Sequence, residues 1–355
     1  MITKTKNLGF HRICLVAVFC FGNASLEFPL YRGAVFPKLI LLFSAAFALL
    51  YGFCFARLYN LKNELFSALQ GDGKQNNGNE KGKLLLNMFL SAFLIYCVLC
   101  LSVCCFQYVR YIDSVRLPNT SAVILGAAFI VAAVVAGYSK KSVVYRLSIV
   151  AFFVLAVSMA VILLFSVNNL HPRYILSYPK SGGNYFKMLL YATENFGEGI
   201  ILSFFFENDS AAAFKKHWLP GIAAAIIMFA VCFFVSIASL GAAVKDRVLY
   251  PFLEASSMVS FGTGFNRLEG LNYALYLFCA LCKAAVILSV IANTAKHIIP
   301  HFEKPLKTLV PIAAALFCCF NFCDAVKEVL IWLTPAVCLL AAVCSAFLRR
   351  SNGRV

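Results

Sequence analysis

Charged side chains are scarce in this chain. Asp, Glu, Lys and Arg make up 13% of its 355 residues, and only 15 residues are acidic. Soluble domains carry about a quarter charged residues, so a soluble fold is excluded. The patterns of common chemistries are missing too. No Ser-His-Asp set, Gly-rich phosphate loop or Cys-His nucleophile pair is present, and nothing points to an enzyme. His297 and His301 have helical spacing, but Pro300 intervenes; no metal site is expected and no cofactor is implied. The 15 cysteines fall within or at the edges of apolar runs, which argues against extracellular disulfides. Cys97-x-x-Cys100 and Cys279-x-x-Cys282 lack matching His or Cys partners in a loop. They read as small buried packing residues.

What the chain has in excess is apolar length. It is 62% hydrophobic, with a mean hydropathy of +0.83. A bilayer span needs roughly 20 mostly apolar residues. Ten such spans are expected, at about 10–31, 37–58, 84–108, 121–138, 145–167, 186–206, 219–244, 271–295, 306–322 and 326–348. Together they form one all-α integral membrane domain covering 1–355. The first span has no small-residue cleavage site behind a short apolar core, and is expected to be a mature helix rather than a signal peptide. Lys and Arg are moderately enriched on the side holding the N-terminus, the even-numbered loops and Arg349-Arg350, so both termini are expected in the cytoplasm. The net charge of +16 needs only anionic lipid headgroups, not nucleic acid, as its partner. Residues 60–83 read as a mobile cytoplasmic loop around the polar stretch Gly71 to Glu80. Residues 245–270 are too broken to span and too apolar to be a solvated loop. They are expected to form an outer segment with short helices dipping into the membrane domain.

Spans one and six are each interrupted by small and polar residues. The first carries Gly22-Asn23-Ala24-Ser25, with Glu27 beyond; the second carries Glu194-Asn195-Phe196-Gly197-Glu198-Gly199. Five spans separate the two starts, which places the breaks equivalently in two five-helix halves. A helix that unwinds in a membrane frees backbone groups that must line a cavity or be buried in protein. Paired breaks of this kind point to a small-ligand site. Gly22, Asn23, Ala24 and Ser25 are candidates for a ligand carboxylate, held by free N–H groups. Asn195, Gly197, Glu198 and Gly199 are candidates for the amine side. One cavity satisfying both ends would fit a free amino acid. Glu27, Glu198 and Lys283 are charges within spans, a placement that is costly and usually functional. Lys283 should meet a carboxylate or carbonyl groups. Tyr96, Phe106, Tyr108 and Tyr273 could close the cavity, although aromatics near span ends are more often interfacial anchors.

Tyr250-Pro251, then Phe265-Asn266-Arg267-Leu268-Glu269, then a Leu/Ala-rich span carrying Lys283 form the most specific stretch. With Leu117-Pro118-Asn119-Thr120, Asn169-Leu170-His171-Pro172 and Glu194 to Gly199, it resembles the spore germination proteins of amino-acid-permease type. These are the B subunits of nutrient germinant receptors. The chain departs from that pattern at Asn266, where an acidic residue is usual, and at Glu254 to Ser257, where an Arg is often found. The resemblance implies a ten-helix amino acid–polyamine–cation transporter fold, with two inverted repeats of five helices and broken helices one and six. It implies a nutrient ligand, typically an amino acid, an A-type membrane subunit and a C-type lipoprotein subunit as partners, and the spore inner membrane as location. Tyr250, Pro251, Arg267 and Glu269 are then candidates for partner contact or structure. A proton- or sodium-coupled amino acid transporter of the same superfamily is the alternative.

Overall fold

The computed structural model describes residues 2–26, 42–52, 55, 80–115, 121–176, 192, 196–206, 211–245, 248, 250–258, 269–298, 310–311, 326 and 329–340. Helices joined by short turns are the regular structure among them, with no strand. The helices are α1 (Ile2–Leu26), α2 (Leu42–Gly52), α3 (Glu80–Val115), α4 (Ala122–Gly137), α5 (Lys141–Ser166), α6 (Pro172–Leu176), α7 (Ile200–Phe205), α8 (Ala211–Lys245), α9 (Pro251–Ser257), α10 (Glu269–Ile298) and α11 (Val329–Leu340). Four apolar stretches are long enough to cross a bilayer: Asn87–Asp113, Lys141–Asn169, Lys216–Gly241 and Gly270–Lys296. Shorter apolar helices lie at Gly9–Gly22, Leu42–Gly52, Val123–Gly137 and Val329–Leu340. Most of the expected ninth span, and the loop stretch 60–79, lie outside the described residues.

The chain divides into two compact units. The first comprises Met1–Ala48, Tyr145–Phe196 and Leu219–Lys283. The second comprises Leu49–Val144, Gly197–Trp218 and Ala284–Val355. The units therefore interleave along the sequence, and each draws on both of the five-span halves expected above.

In the first unit α1 is buried on every side from Cys14 to Gly22, as befits a helix that is apolar all round. It packs against α8 at Gly221, where an added Cβ would lie 2.6 Å from Val16 Cβ and 3.0 Å from the Ile13 carbonyl. Small residues at such crossings let two backbones approach, which is how helices associate where lipid removes the hydrophobic drive. Gly22 meets α10 in the same way, 3.3 Å from Cys279 Cβ to its would-be Cβ. The expected interruption of span one is not found. The backbone is helical through Gly22-Asn23-Ala24-Ser25 to Leu26. Ala is the best helix former, and Asn and Ser cost only fractions of a kcal/mol in a helix. Gly22 is accounted for by its tight contact with α10. Helical geometry engages the amides of 22–25 with carbonyls four residues back, so they are not free to hold a carboxylate.

The far end of α8 is bent at Gly241, whose φ of 74° and ψ of 162° leave the helical region. Only glycine adopts such a backbone without strain. The Ala238 carbonyl, whose helical donor would sit just past the bend, accepts the His171 N–H at 2.9 Å. Tyr174 of α6 packs on Gly241, 3.6 Å from its would-be Cβ. The expected outer segment contains α9, which begins with Tyr250 as N-cap and Pro251 in the first turn, where proline's missing N–H costs nothing. Pro251, Phe252, Leu253, Ala255 and Ser256 are all buried. Asn272 of α10, also buried, donates its amide to Ser256 Oγ, and Ser256 in turn donates to the Leu253 carbonyl at 2.7 Å. The segment is thus pinned to α10 through a buried polar relay.

The second unit is built on α3. Phe89 and Phe93 of this helix pack on Phe204 of α7, with Phe93 and Phe204 stacked at 4.2 Å between centroids. Trp218 meets Phe55 edge-on at 5.4 Å, and Phe55 stacks on Tyr51 of α2. Tyr108 stacks on Phe129 of α4 at 4.4 Å, so its ring serves the contact between α3 and α4. Across the chain, α5 is the most exposed of the long spans, with Val150, Phe153, Val157 and Leu164 all at least half exposed. An apolar face left open in this way is suited to a hydrocarbon solvent.

Replacing Gly221 with Leu is expected to push α1 off α8. Overpacking of this size costs about 1–3 kcal/mol. Thermal unfolding of the purified variant in detergent should show a lowered midpoint, whereas Ala223→Leu on the exposed side of α8 should leave it unchanged.

Candidate functional site

The discontinuity expected in span six lies at Glu198-Gly199. Phe196 and Gly197 are helical, Glu198 and Gly199 form a turn, and α7 follows from Ile200. The turn is a tightening rather than an unwinding. Gly199 keeps φ −54° and ψ −16°, while Ile201 N–H reaches the Glu198 carbonyl at 2.9 Å and Leu202 N–H the Gly199 carbonyl at 3.0 Å. These are three-residue hydrogen bonds of the 3₁₀ type. The segment ends abruptly at Phe206, whose ψ of 125° is extended. Lys141 Nζ donates to the last helical carbonyl, that of Phe205, at 3.0 Å, and lies 5.4 Å from the centroid of the Phe205 ring. A cation at a helix C-terminus satisfies a carbonyl and complements the helix dipole.

Around Gly197 and Glu198 the second unit gathers residues from four elements. Gly197 has no room for a side chain: a Cβ there would collide with Thr334 Cγ2 of α11 and lie 3.6 Å from Tyr51 Cε2 of α2. Thr334 Oγ1 donates to the Leu330 carbonyl at 2.9 Å. Its single proton is thereby used, so Tyr96 of α3 is the donor in the 3.2 Å bond between Tyr96 OH and Thr334 Oγ1. Glu198 is 2% exposed and lies within electrostatic reach of Tyr96 and Cys97. Gly197, Glu198, Tyr96, Cys97, Thr334 and Tyr51 are all buried in the second unit. A buried carboxylate is suited to a ligand ammonium or a proton, and the hydroxyls to oriented hydrogen bonding.

The structure places the remaining sequence candidates elsewhere or leaves them undescribed. Gly22 is buried on α1 in the first unit; Asn23, Ala24 and Ser25 follow it in the same helix, and their side chains lie outside the described residues. Glu27, Asn195 and Arg267 also lie outside them. Lys283 is fully buried at the middle of α10, at the edge of the first unit. Tyr250 and Pro251 open α9, and Glu269 opens α10. Phe106 lies under the Arg110 guanidinium at 5.8 Å. Among the described residues no group of three His, Cys, Asp or Glu could hold a metal. Sequence reasoning named Tyr96 but missed Thr334 and Tyr51. A hydroxyl one residue before Pro335 was the available signal for Thr334, since its partner is more than two hundred residues away.

Four helices long and apolar enough to cross a bilayer, with shorter apolar helices beside them, define a multi-pass membrane protein. The family profile described as spore germination protein matches residues 40–328. The chain belongs to that family. No individually curated protein matches it with significance.

The Tyr96–Thr334 pair can be tested by a double-mutant cycle. Thr334→Val strands the Tyr96 hydroxyl and is expected to cost about 1–3 kcal/mol. Tyr96→Phe leaves Thr334 bonded to Leu330 and should cost less. The double variant should recover part of the Thr334→Val loss in thermal unfolding.

Proposed function

We propose that this chain is the nutrient-binding subunit of a spore germinant receptor, with a free amino acid as ligand. The observation that carries the reading is Glu198, buried at the turn before α7 in a spore germination family member. The ligand ammonium sits against the Glu198 carboxylate, and the Tyr96–Thr334 hydroxyls orient it. Charge-assisted hydrogen bonds of this kind are about twice as strong as neutral ones. Binding favours one arrangement of the helices by its differential affinity for the two states. An A-type membrane subunit and a C-type lipoprotein subunit read that change in the spore inner membrane, with both termini of this chain in the cytoplasm. Lys283 acts as a fixed internal cation within its helix. The chain binds its ligand without transforming it. Because the amides of 22–25 are helical, the ligand carboxylate is not assigned to them.

The same carboxylate supports a second reading, a proton- or sodium-coupled amino acid transporter in which Glu198 is the coupling group. Intramembrane carboxylates commonly serve as proton relays.

Glu198→Gln is the first test. Calorimetry on the purified protein with a panel of amino acids should show at least a tenfold loss of affinity for the wild-type ligand, a difference of about 1.4 kcal/mol. Unchanged affinity would remove Glu198 from the site. Proteoliposomes holding this chain alone separate the two readings: binding without flux fits the receptor, and ligand uptake driven by a proton or sodium gradient fits the transporter.

A further inference from the structure

An apolar groove of about 380 Å³ runs along the first unit between α5 and α8. Leu163, Leu170 and Pro172 line one side, and Ile227, Phe234 and Ala238 the other. Leu163, Ile227 and Phe234 are exposed, so the groove opens outward. At one end lie Pro172 and Ala238, where the His171 N–H bonds the Ala238 carbonyl. At that end the chain leaves α5 through a short 3₁₀ turn, Val167–Asn169, and passes Leu170 and His171 without helical structure. Non-helical backbone does not face lipid within the hydrocarbon region, so this end lies at the membrane surface.

The length of the groove identifies its occupant. Between Ile227 and Ala238 α8 rises about 16 Å, and one leaflet of hydrocarbon is about 15 Å deep, half of the ~30 Å core. Ile227 also falls near the middle of the apolar stretch Lys216–Gly241. The groove therefore runs from the surface to the midplane and stops. A partner's transmembrane helix would need an open face of about 30 Å; an acyl chain needs one leaflet. At the surface end, His171 and Arg173 flank Pro172 in sequence and both are exposed, with the exposed Tyr174 beside them as an interfacial aromatic. An exposed Arg next in sequence to Pro172, which lines a one-leaflet apolar groove, matches a single molecule with an anionic head and an apolar tail.

We propose that this groove is a binding site for an anionic phospholipid, with one acyl chain between α5 and α8 and the headgroup phosphate at Arg173. The lipid would cover the bend at Gly241 and the His171–Ala238 bond, and so hold the α5–α6 turn against α8.

The test is native mass spectrometry of the full-length protein released from detergent containing equal amounts of phosphatidylglycerol and phosphatidylcholine with the same acyl chains. The wild type is expected to retain one phosphatidylglycerol with a preference of about fivefold, the contribution of one basic side chain beside anionic lipid. Arg173→Gln should abolish the preference while keeping residual binding of both lipids. Ala230→Phe, which fills the groove, should lower retention of both; Ile227→Trp at the exposed deep end offers a second filling variant should the first fail to fold. Far-UV circular dichroism and a monodisperse elution profile confirm folding. Equal retention of the two lipids by the wild type would overturn the proposal, as would unchanged retention in a folded filling variant. Capture of a protein rather than lipid by a photocrosslinker at position 227 in native membranes would overturn it in favour of a partner helix.

Discussion

Backbone hydrogen bonding in hydrocarbon is the constraint on which this structure depends. Every amide and carbonyl that leaves a helix within the membrane must find a partner inside the protein, because no water replaces it. The described helices depart from regularity at a few places, and several of these departures carry a local repair. At Glu198-Gly199 the repair is a pair of three-residue bonds. At the end of α7 it is the Lys141 ammonium on the Phe205 carbonyl. At the Gly241 bend it is the His171 amide on the Ala238 carbonyl. At α9 the buried Asn272–Ser256 relay does the same work for the outer segment. These irregular places are also where the chain concentrates its functional features, because only there does main-chain polarity come within reach of a ligand, a lipid headgroup or a neighbouring segment.

Packing follows from the same solvent. Lipid tails are as apolar as leucine, so burial of apolar surface gives little drive for one helix to join another. Close contact supplies it instead. Gly221 against α1 and Gly197 against α11 bring helices to distances a larger side chain would forbid, and Gly22 against α10 makes a tight contact. Cys14, Cys20, Cys97, Cys100, Cys104, Cys105, Cys232, Cys279 and Cys282 are small buried side chains, filling similar gaps with slightly more volume. Stacked rings, such as Phe93 on Phe204, close the second unit where helices stand further apart.

Two charges lie within this packed interior. Glu198 and Lys283 are almost wholly withdrawn from solvent, a placement whose cost is accepted in membrane proteins mainly where a ligand, ion or proton is handled. They belong to different compact units, and the chain passes from one unit to the other beside each of them: between Phe196 and Gly197, and between Lys283 and Ala284. The positions that carry charge are thus also positions where the chain changes unit.

Composition and periodicity by themselves determined that the chain is helical and membrane-embedded, because apolar runs of bilayer length admit hardly any other structure. The Gly-Glu-Gly run likewise announced the discontinuity in span six, since two glycines around a charge make a poor helix. The equally suggestive Gly22-Asn23-Ala24-Ser25 was misleading for a physical reason. Its residues each tolerate helical geometry, and Gly22 is required by the approach of Cys279, a fact that resides in α10 and not in the local sequence. Thr334 was invisible for the same reason: its importance comes from Tyr96 and Gly197, far away along the chain. Only the tertiary structure decided which polar residues meet, which glycines are crossings and which are bends, because those depend on the neighbouring helix and not on the helix that carries them.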